Sequence, residues 1–114
     1  MNDPTVTDPD HYRVLWENER VRVLEYRDTP GDATHPHDHP DSVMVTLSSF
    51  ERVIASGGRE MPVSLDAGEA RWLPAQSHRG TNVGNTETHV IFVELKEPAA
   101  AGGTGDSPLG PSAS

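Results

Sequence analysis

Three of the six histidines fall within five residues, His35-Pro36-His37-Asp38-His39. In an extended segment alternate side chains project to one face about 6–7 Å apart, so His37 and His39 can aim at one point. Two convergent imidazoles with no thiolate beside them are half of a metal site, suited to zinc, iron, nickel, copper or manganese. The chain has no cysteine, which excludes thiolate metal sites, thiol nucleophiles and disulfide frameworks. The other half must come from a distant part of the chain. His78, in Leu73-Pro74-Ala75-Gln76-Ser77-His78-Arg79-Gly80, reads as part of a loop leaving a strand. His89 lies in the last apolar run, where it shares a face with Ile91, Val93 and Leu95. That parity points His89 inward and turns Val90 and Phe92 outward.

The elements that must position these side chains are strands. Arg20-Val21-Arg22-Val23 and Ser42-Val43-Met44-Val45-Thr46-Leu47 alternate with period two. Phe50 to Ala55 and Arg59 to Leu65 flank Gly57-Gly58 and read as a hairpin, with Pro62 marking an edge strand or a bulge. Asp66-Ala67-Gly68 is a further turn before Glu69 to Leu73, and Thr86 to Lys96 forms the last strand. No window carries a sustained helical repeat. An all-β domain follows, an antiparallel sandwich or barrel.

Composition bounds the rest. The 114 residues allow one small domain. The last stretch, residues 98–114, holds little that could form a core and reads as a disordered tail. Residues 1–10, with two prolines and three aspartates, read as a flexible N-terminal segment. The folded domain is then residues 11–97. Eighteen acids against nine bases give a net charge of −9, which argues against binding nucleic acid or an anionic membrane surface. No apolar run is long enough to span a membrane, and the opening residues are unlike a signal peptide. A soluble cytoplasmic domain is expected.

The spacing of these residues resembles that of the cupins, a superfamily of small β-barrels. Gly31, five residues and then His37-Asp38-His39 match the first cupin motif. Gly68, Pro74, His78 and Asn82 fit the second, with the Pro-to-His interval one residue short and Gln76 where the motif prefers glycine. The resemblance spans about Tyr12 to Glu97. It implies a cupin-type antiparallel β-barrel, or double-stranded β-helix of jelly-roll form, with His37, His39 and His78 as metal ligands. The motif's usual glutamate is missing: Ser42 takes its place along the strand, and Asp41 is the nearest carboxylate. His35, Asp41, Gln76 or His89 could each complete the ligand set, with His35 and Gln76 ranked first for their proximity to the motif ligands.

The resemblance further implies a metal-dependent enzyme acting on a small organic molecule, with dioxygenase chemistry at ferrous iron favoured. Zinc, nickel or manganese would suit the alternatives, an isomerase, lyase or polyketide-cyclase type of cupin. A non-catalytic ligand-binding or sensing module is the remaining reading. His35 or His89 would serve as general acid or base, and Asp41 as a base if the barrel raises its pKa. Arg71 and Arg79 border the second motif and could pair with an anionic substrate group. A homodimer is expected, both from the resemblance and from an apolar outer face on the last strand.

Overall fold

The computed structural model describes residues 2–97; the expected disordered tail, residues 98–114, lies outside the described residues. One helical turn, α1 (Pro4–Thr7), precedes nine strands: β1 (Tyr12–Glu17), β2 (Val21–Asp28), β3 (His37–His39), β4 (Ser42–Thr46), β5 (Phe50–Ser56), β6 (Arg59–Leu65), β7 (Ala70–Leu73), β8 (Gln76–Asn82) and β9 (Thr88–Leu95). They form two sheets, ordered β1-β2-β9-β4-β7 and β3-β8-β5-β6. Every strand pairing is antiparallel. The architecture is all-β, as the sequence pattern predicts, and has the double-stranded β-helix form that the resemblance implies.

Local chemistry accounts for the strand ends. Gly57 and Gly58, at φ 56° and 81°, supply the two left-handed residues of the β5–β6 hairpin turn. Pro62 sits on β6, which is an edge strand and has no outer neighbour to miss its N–H. Pro36 and Pro40 bracket β3 and hold it to three residues. The inward residues of the two sheets meet in a core that includes Leu24, Met44, Phe50, Leu73, Val90 and Phe92. Burying each of these side chains contributes about 1.5–3 kcal/mol.

One polar layer crosses this core. Arg52 on β5 donates to Asp28 and Thr88 and to the Tyr26 hydroxyl. Asn82 Nδ2 donates to the second Asp28 oxygen at 3.0 Å. Gly80 makes room for this guanidinium, because a Cβ there would lie 2.7 Å from Arg52 Nη2. No buried side-chain nitrogen or oxygen among the described residues lacks a hydrogen-bond partner. A buried charge pair persists only when its hydrogen bonds are completed in this way.

Three expectations differ from the structure. The parity of the last strand is reversed: Thr88, Val90, Phe92 and Glu94 face the interior, and His89, Ile91, Val93 and Leu95 face outward. β9 lies between β2 and β4 and is apolar on both faces, so period two alone cannot choose between them. His78 belongs to a strand, β8, and not to a loop. Finally, the opening stretch that reads as loose carries α1, with Pro4 buried and Asp3 capping the turn through Thr5 N. Asp38 N on β3 donates to the Asn2 carbonyl at 2.7 Å, and Asn2 N donates to the Asp38 carboxylate at 2.9 Å. No helix among the described residues is long and apolar enough to cross a membrane.

Candidate metal centre

β3 and β8 carry the site between them. They pair with His37 opposite His78, so these two side chains enter the interior side by side. His39, two residues along β3, shares the inward face of His37. The three imidazoles form a nearly equilateral triangle, with ring centroids 4.7, 5.0 and 4.9 Å apart. Their candidate ligand atoms all lie within 4.8 Å of one another, and all three residues are buried.

The second nitrogen of each ring decides what this triangle can do. His37 Nδ1 donates to the His35 carbonyl at 2.8 Å. His39 Nδ1 donates to Glu94 Oε2 at 3.3 Å. His78 Nδ1 donates to Gln76 Oε1 at 2.7 Å. A carbonyl, a carboxylate and an amide oxygen are all acceptors, so each ring's proton belongs on Nδ1 and each Nε2 presents a lone pair. The Nε2 atoms of His37 and His39 are 3.0 Å apart. Two lone pairs at that distance repel unless a proton or a cation lies between them. Nitrogens held about 2.0–2.1 Å from one ion, near 90° apart, would have this separation. The donor set therefore fits a borderline divalent transition metal, with positions left over for water or substrate.

Burial lowers the pKa of all three rings, to about 3 for His39 and about 2 for His78; His37 depresses His39 further, and His39 and His37 depress His78. Neutral imidazoles are the form a metal requires. The Tyr12 hydroxyl lies 3.4 Å from Nε2 of both His37 and His39. Burial pushes this phenol well above its ordinary pKa, so it remains a proton donor at the open side of the triangle. A cavity of about 50 Å³ adjoins it, lined by Tyr12, His37, His78, Met44, Arg52 and Phe92 among others. That is room for a few waters or a small organic fragment.

The structure brings His37, His39 and His78 together and places the other candidates elsewhere. The His35 ring is mostly exposed and pairs with Asp8 at 2.9 Å; its carbonyl, not its ring, serves the site. Asp41 accepts from Ala75 N at 2.8 Å and ties the start of β4 to the approach to β8. Gln76 meets His78 at Nδ1, away from the Nε2 triangle, and so orients a ring where a fourth ligand was expected. His89 lies on the outer face, 2.8 Å from Glu25 Oε2, and is not available as an acid or base at the site. Arg71 pairs with Glu69.

Sequence reasoning missed Tyr12, Glu94 and the N-terminal acids. Glu94 is 2 % exposed and lies between His39 and Arg22, whose Nη2 is 2.8 Å away. Burial raises the pKa of this carboxyl, opposed by the Arg22 guanidinium. Asp3 holds the other side of Arg22 at 2.8 Å. Asp8 accepts from both the backbone and the ring of His35. Two relays therefore run from the opening segment to the ligand rings, Asp3–Arg22–Glu94–His39 and Asp8–His35–His37. The one sequence signal for Glu94 is a lone acid in the apolar run from Val90 to Leu95, legible only with the correct parity.

Comparison with solved structures places the fold among known ones. A cupin domain from Bordetella pertussis is 28 % identical, with a TM-score of 0.70 over 75 % of this chain and 92 % of that one. An uncharacterized protein with a double-stranded β-helix domain from Klebsiella pneumoniae is 23 % identical, with a TM-score of 0.60 over 74 % of each chain. A cupin superfamily protein from Desulfitobacterium hafniense is 17 % identical, with a TM-score of 0.57 over 75 % of this chain and 76 % of that one. No family model and no curated protein sequence matches the chain.

Proposed function

Since this chain is a small single-domain member of the cupin superfamily, we propose that it is a metal-dependent enzyme acting on a small organic molecule. One observation carries the reading: three buried Nε2 lone pairs converge while every Nδ1 is engaged by an acceptor. His37, His39 and His78 would hold one divalent ion. When bound, that ion supplies Lewis acidity, or with ferrous iron a place for dioxygen beside substrate.

The chain's own residues supply the rest. Gln76, Glu94 and the His35 carbonyl fix the ring orientations, and such support is worth 10–100-fold in metal affinity. Tyr12 holds a proton on its hydroxyl 3.4 Å from two of the ligand nitrogens, within reach of a group bound at the open side. Phe92, Met44 and Leu73 line the cavity and limit water there. The neutral histidine set favours ferrous iron and oxygenase chemistry within this reading. Oxygen uptake by iron-loaded protein, on addition of small carboxylic acids, tests that choice. Turnover at the same rate without dioxygen would contradict it.

A further inference from the structure

Access to the triad is uneven. His78 is 8 % exposed, against 2 % for His37 and 3 % for His39. The reason lies in the strand pairing. β8 pairs with β3 from Gln76 to His78 and with β5 from Arg79 onward. Ser56, the next residue of β5, pairs only with Arg59 across the hairpin. The β5–β6 hairpin thus leaves β8 beside His78, and an open cleft of about 310 Å³ lies there. His78 lines both this cleft and the cavity beside Tyr12.

The charges around the cleft are unlike those elsewhere. Arg13, Arg20, Arg22, Arg27, Arg52, Arg71 and Lys96 are each ion-paired with an acid. Among the described residues only Arg59 and Arg79 have no acidic partner, and both are exposed and line this cleft. In a chain of net charge −9, unpaired guanidinium groups gathered at one opening form a local electropositive entrance. Glu60 also lines the cleft, so the three side chains together carry one net positive charge. The other cleft reaching the site, beside His39, is lined by Asp3, Glu17, Asp38, Asp41, Glu94 and Glu97, with Arg22 and Lys96 already paired. It repels an anion.

We propose that the molecule acted on at the triad is a small monocarboxylate, which enters beside His78 and is selected by Arg59 and Arg79. The net single charge matches a carboxylate better than a dianionic phosphate, and guanidinium groups bind carboxylates through paired hydrogen bonds. This inference rests on the metal reading only for the chemistry that follows binding, because Arg59 and Arg79 line the cleft and are not among the residues that would hold the ion.

The test is a titration of full-length protein, metal-free and zinc-loaded, with benzoate, benzamide and inorganic phosphate, followed by backbone amide NMR. Benzoate is expected to shift the amides of Gly57, Gly58, Ser77 and Arg79 and to bind about 10-fold or more tighter than benzamide. The pair Arg59→Ala and Arg79→Ala should remove that preference and its salt dependence while leaving the zinc content unchanged. Equal binding of benzoate and benzamide, tighter binding of phosphate, binding unaltered in the double variant, or no binding at all would overturn the proposal. Protein that holds no metal yet prefers benzoate would overturn the metal reading and leave the cleft assignment standing.

Discussion

Ser42 and Glu94 face each other across the β4–β9 pairing, both buried and both on the inward side. Ser42 occupies the strand position where a cupin motif would place its glutamate. Glu94 delivers a carboxylate to the same region from the neighbouring strand, where it meets His39 at Nδ1 and Arg22 on its other side. The acid is thus moved from a ligand position to one that orients a ligand, and the histidine set stays neutral. Glu94→Gln should keep the fold and weaken metal binding about 10–100-fold, measured by competition with a chromophoric chelator. Unchanged affinity would show that the carboxylate does not support the ring.

The N-terminal acids act on the same rings through intermediaries. Asp8→Ala removes the acceptor for the backbone N–H of His35, a part-buried donor. Loss of such a partner costs about 1–3 kcal/mol, to be read from urea denaturation. Metal affinity should fall with it, because the His35 carbonyl holds His37. Stability and affinity both equal to wild type would contradict the relay.

Acid should destabilise the metal-free protein through these same rings. Burial depresses all three pKa values, assisted for His39 and His78 by the neighbouring rings, to about 3 for His39 and about 2 for His78. The unfolded chain protonates its histidines near 6.5, so below that pH it binds more protons than the native state. Full stability is therefore present above about 6.5 and declines as pH falls through about 3 toward about 2. Urea midpoints of chelator-treated protein at pH 7.5 and 5.5 should differ, with the lower value at 5.5. A flat profile would contradict neutral burial of the triad.

Gly80 is a matter of space and not of backbone angle. A methyl group there would meet Arg52 Nη2 at 2.7 Å and Ile54 Cδ1 at 3.2 Å. Arg52 cannot move aside freely, since Asp28, Thr88 and Tyr26 hold it. Gly80→Ala should cost about 1–3 kcal/mol, and a stability within error of wild type would show the network to be slack.

The outer face of the larger sheet carries its own expectation. Trp16, Val23, Val93, Val43 and Trp72 stand in register across all five strands. The two tryptophans are 57 % and 39 % exposed. A second copy of the chain, presenting the same stripe about a two-fold axis, would cover both edges and centre at once. Sedimentation at micromolar concentration should give a dimer, and Val93→Asp a monomer; a monomeric wild type would overturn this.

The sequence carries the strands and the two histidines of β3 because both are local. Period two, the Gly57-Gly58 turn and Pro62 place the hairpin, and the His37-x-His39 spacing fixes two ligands on one face of one strand. What it does not carry depends on distant pairing. The direction of His89 required knowing that β9 lies inside the sheet with apolar neighbours on both faces. Glu94 reaches the site through pairings of strands far apart in the chain, and Tyr12 through the packing of one sheet on the other. The role of Asp3 and Asp8 was hidden by composition, since a proline- and aspartate-rich opening reads as loose until Arg22 and His35 are seen opposite it.

The central claim is that three histidines hold one metal ion. Elemental analysis of untagged protein, compared with His37→Ala and His78→Ala variants, tests it most directly. The predicted result is about one divalent transition ion per wild-type chain and little or none in either variant. Wild-type protein holding no more metal than the variants would contradict the account.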